Sequence, residues 1–148
     1  MPGPFLDRAL LTATMIAFVA PSMGPARANP VIDWNIVAID ATAVPPNAVL
    51  QSRTLAIVHG AIFDAVHAVA RAGPAYAVDL EAPPGTSIEA ALGVAAHDVL
   101  VQLAPMQQPK LDQALGKALA ELPDGSNKTA GMAIGAQVAE RSIALRKD

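Results

Sequence analysis

Apolar positions along the chain fall into blocks with helical spacing, and each block is stopped by proline or glycine. The clearest is Leu111, Leu115, Ala118, Leu119 and Leu122, at i, i+4, i+7, i+8 and i+11, the stripe of a helix lying against a core. Five helices follow from the blocks. The first runs from about Ile32 to Ala43 and stops before Pro45-Pro46, whose rings disfavour helix in the residue ahead of them. The second runs from about Pro46 to Ala72 and ends at Gly73-Pro74. Residues 73 to 85, with Pro74, Pro83, Pro84 and Gly85, read as a loop. Thr86-Ser87-Ile88-Glu89 has the spacing of a capping box, so the third helix is expected from Ser87 to Leu103, ending at Ala104-Pro105. Pro109 opens the fourth, Pro123-Asp124-Gly125 breaks it, and the last runs from near Ser126 towards Arg146.

A different pattern precedes these blocks. Asp7-Arg8 is followed by the apolar run Ala9 to Ala20, then by Pro21-Ser22-Met23-Gly24-Pro25-Ala26-Arg27-Ala28. A charged start, a short apolar core and a small-x-small end form the layout of a secretory signal peptide, and the core falls short of the roughly 20 apolar residues of a membrane span. Residues 1–28 are therefore expected to be a signal peptide, with cleavage after Ala28 and export to a periplasm or beyond. Residues 29–148 then form one all-α domain of a size usual for a single unit.

Composition supports the helical reading. The chain is 53% hydrophobic but only 3% aromatic, so its apolar content is Ala, Leu, Val and Ile, which suits closely packed helices. The absence of cysteine excludes disulfides, thiolate nucleophiles and Cys-ligated metal. A net charge of -3 with no basic cluster argues against nucleic acid as a partner.

Candidate chemistry is confined to a few polar positions. At about 100° per residue, Arg53, Gly60, Asp64, His67 and Arg71 fall on one side of the second helix, and Leu55, Val58, Ile62, Val66 and Val69 on the other. His59 lies with the apolar side and is expected to be buried as a structural imidazole, while His67 is expected to be exposed or at an interface. Asp64, His67 and Arg71 then read as a surface charge network of small energetic value. His97, on a helix apolar around most of its circumference, reads as structural. In Asp33-Trp34-Asn35 the indole is expected to anchor the interior, with Asp33 or Asn35 capping the helix start. Gly131, Gly135 and Ala139, every four residues, predict a seam where a neighbouring helix comes close. The spacing of His59, Asp64 and His67 lacks the paired histidines of a zinc-protease helix, so no metal ligand is expected.

Asp33-Trp34-Asn35, the Pro45-Pro46 hinge and the run Ser52 to Val69, which reads R-x-L-A-x-V-H-x-A-x-[FY]-D-A-V, together resemble one family. It is the amino-terminal helical region of secreted bacterial proteins related to vanadium-dependent haloperoxidases and type 2 phosphatidic acid phosphatases. The likeness continues through Ala95-Ala96-His97-Asp98-Val99-Leu100, Leu111-Asp112-Gln113-Ala114-Leu115, Pro123-Asp124-Gly125 and Lys128-Thr129-Ala130-Gly131 with Gly135. His67 and Phe63 depart from it, standing where Asn and Tyr are usual.

In that family vanadate or a substrate phosphate is held by K-x6-R-P, P-S-G-H and S-R-x5-H motifs. None of these strings occurs here. The resemblance therefore implies a helical part that covers and supports a catalytic bundle, with no catalytic, cofactor-binding or metal residue of its own. Vanadate would require the C-terminal part, and the partner is that domain or a second copy, met through an exposed apolar patch. Halide oxidation and phosphate-ester hydrolysis both stay open for the parent protein. The other reading is a free-standing secreted helical binding or scaffolding module.

Overall fold

The computed structural model describes residues 29–43 and 45–146. The signal-peptide reading falls on residues 1–28, outside the described residues. Five α-helices follow in order: α1 (Pro30–Thr42), α2 (Ala48–Ala70), α3 (Ile88–Leu103), α4 (Gln108–Ala120) and α5 (Ser126–Ala144), with a 3-10 turn at Pro105–Gln107 leading into α4. Among the described residues there is no strand, so the domain is all-α, as its sequence pattern predicts.

The helix starts are set by polar side chains that take up free amides. Asn29 Oδ1 accepts from Val31 N at 3.0 Å, and Pro30 occupies the first turn, where its missing N–H costs nothing. This moves the cap of α1 ahead of Asp33 and Asn35, correcting the expectation that one of them caps it. Asn47 Oδ1 likewise accepts from Leu50 N at 3.0 Å, so α2 begins at Ala48 and not at Pro46. Ser87 Oγ accepts from Ala90 N at 3.2 Å. Thr86, the hydroxyl of the expected capping box, instead donates to Pro83 O at 2.6 Å and closes the preceding turn. The cap thus falls one residue later, with Ala90 in place of the box's carboxylate, so Ser87 caps alone and α3 starts at Ile88.

α3 is the axis of the fold. Every residue from Ala90 to Ala96 is buried, as are Val99 and Leu100, because α2 and α5 pack on it extensively and α1 and α4 cover the rest. Such all-round burial requires an almost entirely apolar helix, which this is. The Gly131/Gly135 seam faces α3 directly: a Cβ at Gly131 would stand 2.5 Å from Ser87 O, and one at Gly135 would run into the Ala91 carbonyl. Trp34 anchors α1 as expected, at 3% exposure, with its indole against Gly93 of α3. α4 is peripheral. Of its apolar stripe only Leu111 is buried, while Ala114 and Leu115 pack partly against the core. α2 is the one single helix, among the described residues, long and apolar enough to cross a membrane, and half of that stretch is buried inside the fold, as a core helix would be.

Candidate functional site

The polar side of α2 is where the structure departs most from the sequence reading. Asp64 is fully buried and His67 is 4% exposed, whereas His59 is only partly buried. The expected burial of His59 and exposure of His67 are therefore reversed. The cause is the segment after α2, which turns back and covers the side of the helix that carries Asp64 and His67. Arg71 ends α2 in the left-handed region at φ 52, and Gly73 follows at φ 77. Two such residues in close succession reverse the chain sharply, a conformation glycine adopts freely and arginine does not.

Asp64 holds the returning chain. Its Oδ1 accepts from Tyr76 N at 2.7 Å, and its Oδ2 accepts from Ala77 N at 3.1 Å and Val78 N at 2.8 Å. Three successive amides thus converge on one carboxylate, an arrangement in which a buried charge is stabilised by dipoles without a cation. Further along, Ala82 N donates to Ala68 O at 2.9 Å, so the loop is tied to the helix at two levels. The Tyr76 ring rests over Gly60, where a Cβ would stand 3.1 Å from Cε1. A surface charge network was the expectation for Asp64, His67 and Arg71. What forms is a latch with its charge inside.

Above this latch lies a cleft of about 390 Å³ lined by His67, Arg71, Gly73, Pro74, Tyr76 and Asp79, among others. Arg71 Nη1 donates to Asp79 Oδ1 at 2.9 Å and to Leu80 O at 3.0 Å. That guanidinium holds the Asp79 carboxyl below its ordinary range. His67 Nε2 stands 3.5 Å from the same carboxylate, and His67 Nδ1 is enclosed without a hydrogen-bond partner among the described residues. The cleft offers one cation, and that cation is already committed to a carboxylate and a carbonyl. A phosphate-like oxyanion needs several converging donors, and the repulsion of Asp79 opposes it. No lysine is among the residues lining the cleft, and Lys128 of α5 is engaged with Asp124 at 2.8 Å.

His59 joins α1 to α2. Its Nε2 lies 2.9 Å from Asn35 Oδ1, so the ring donates to the amide oxygen. Asn35 is thus a cross-helix partner, not a cap. His97 makes a third polar cluster, with Nδ1 2.7 Å from Asp98 Oδ1 and Nε2 2.8 Å from Asp112 Oδ1 of α4. The hydrogen bond to Asp98 raises the imidazole's pKa above its ordinary value, partial burial opposes this, and Asp112 adds to the rise. Among the described residues no group of three or more His, Cys, Asp or Glu side chains is placed to hold a metal ion.

Periodicity gave no sign of the Asp64 latch. The available signal was a lone Asp inside the apolar run Ala61-Ile62-Phe63-Asp64-Ala65-Val66, on a helix followed directly by a Gly-Pro reversal. No family profile, curated protein or solved structure matches this chain.

Proposed function

We propose that this chain is the N-terminal helical portion of an exported vanadium haloperoxidase-like or acid-phosphatase-like protein, and that it supports and covers a catalytic helical bundle without chemistry of its own. The observation that carries this reading is what its motif residues do. Trp34 fills the core, Asn35 accepts from His59, and Asp64 gathers three backbone amides. Asn35 and Asp64, two polar residues that carry the family resemblance, are thus occupied in holding helices and a loop together rather than facing a substrate.

An outer face supports the covering role. Ile32, Ile36 and Ile39, at i, i+4 and i+7 of α1, are 57%, 53% and 41% exposed. An apolar stripe left in solvent at helical spacing suits contact with another helical surface. In this reading vanadate or a phosphate ester binds only in the C-terminal part of the parent protein, and the compartment is the periplasm or the outside of the cell.

The purified chain is expected to show no saturable vanadate binding by vanadium NMR. It is also expected to show no turnover of a chromogenic phosphate ester, and none of bromide with peroxide. Saturable binding at about micromolar vanadate, tight for so small an anion, or turnover lost on Arg71→Ala, would contradict the proposal and assign chemistry to the cleft at His67.

A further inference from the structure

The His97 cluster lies outside that cleft and has a property the packing alone does not require. Both ring nitrogens stand within 2.8 Å of a carboxylate oxygen, Asp98 Oδ1 on one side and Asp112 Oδ1 on the other. Neutral imidazole has one N–H and one lone pair, so it donates to only one of them and turns its lone pair towards the other. The doubly protonated ring alone satisfies both contacts. Asp98 belongs to the same helix as His97, whereas Asp112 belongs to α4, so the charged ring ties α4 to α3. Among the described residues, the charged groups acting on the ring are these two carboxylates.

Besides this tie, α4 is held by Leu111 and, more loosely, by Ala114 and Leu115 packed partly against the core. Leu111 is its only buried residue, and its first turn lacks a side-chain cap. Beneath it, Leu115 Cδ1 and the Trp34 indole meet at Gly93, where a Cβ would stand 3.7 Å from the first and 3.4 Å from Nε1 of the second. Trp34 is the only tryptophan in the chain.

We propose that His97, Asp98 and Asp112 form a proton-operated latch that holds α4 on α3 while the imidazole is charged and loosens it when the proton leaves. The sign follows from the raised pKa: the contribution is fully present below the ordinary histidine value of about 6.5 and is lost as pH rises through the folded value above it. Loss of the proton removes one donor and sets a lone pair against a carboxylate. α4 then moves away from the surface beneath it, wetting Leu115 and the edge of Trp34.

Trp34 emission, followed from about pH 5.5 to about pH 9.5, a range bracketing histidine titration, tests this with far-UV circular dichroism recorded in parallel. A one-proton red shift with its midpoint above about 6.5 is expected, with helix content held. In Asp112→Asn the shift is expected to move to lower pH or to disappear, and in His97→Gln to be absent. A flat emission maximum across the range overturns the proposal, as does a shift that persists unchanged in His97→Gln. Should either variant fail to fold, the His97 ring-proton NMR titration of the unmodified protein decides. A midpoint at or below about 6.5 contradicts the latch, and one above it, coincident with the Trp34 shift, supports it.

Discussion

Replacing Gly131 and Gly135 together by alanine is expected to remove a large part of the domain's stability. A Cβ on Gly131 would meet Ser87 O at 2.5 Å and Ala90 Cβ at 2.8 Å, and one on Gly135 would meet the Ala91 carbonyl and Val94 Cβ. These neighbours are α3 backbone and β-carbons, which have no rotamer to change. The helices must therefore separate along the whole seam, and α3 and α5 form the most extensive contact in the fold. Alanine favours a helix over glycine by about 1 kcal/mol per site, but overpacking typically costs about 1–3 kcal/mol where the structure gives way and more where it is backbone. A loss of about 4 kcal/mol or more is expected for the pair, a large part of the roughly 5–15 kcal/mol of an ordinary domain. Urea unfolding monitored by circular dichroism measures it. Gly116 on α4, with nothing within 4 Å of a built Cβ, is the control: Gly116→Ala is expected to be neutral or to stabilise by up to about 1 kcal/mol. A double variant as stable as the parent protein would mean the seam is looser than described.

Asp64→Ala is expected to have the second largest effect. It leaves the amides of Tyr76, Ala77 and Val78 without their acceptor, and Val78 is itself buried at 3% exposure. Each hydrogen bond to a charged acceptor contributes about 1.5–3 kcal/mol, and a buried unpaired donor costs about 1–3 kcal/mol. Part of that cost is relieved, since the loop detaches and its amides find water, so a net loss of about 3–4 kcal/mol is expected. Asp64→Asn keeps one acceptor oxygen and is expected to fall between. Native-state hydrogen exchange at Tyr76, Ala77 and Val78 distinguishes this from general weakening: those amides are expected to lose protection ahead of α3. Unchanged protection in Asp64→Ala would show that the loop is held by something other than the carboxylate.

The parts of this fold legible in the sequence are those that depend on neighbours close in the chain. Proline and glycine mark the breaks between helices, apolar spacing marks their inner faces, and four-residue glycine spacing marks the α3–α5 seam because a helix brings such positions together by geometry alone. Trp34 is legible for a similar reason, being the only tryptophan in a chain poor in aromatic residues.

What is not legible depends on partners brought together by the fold. A helical wheel separates charged from apolar residues, and it assigns the charged side to water. On α2 that side is covered by residues 72–80, so Asp64 and His67 end up inside, while His59 rests at the rim against Asn35, 24 residues earlier. Asp112 is likewise 15 residues from His97 and on another helix. Caps fail more mildly: Asn29 and Asn47 capture the helix starts because each stands where the chain is still extended, with φ and ψ of -71° and 113°, and -145° and 98°.

The central claim is that these helices serve a catalytic bundle belonging to the same protein. Sequencing the reading frame that follows the codon for Asp148 tests it most directly. The account predicts an open frame carrying K-x6-R-P, P-S-G-H and S-R-x5-H in that order. A stop codon there, with none of these motifs nearby, would contradict it and leave a free-standing secreted helical scaffold in its place.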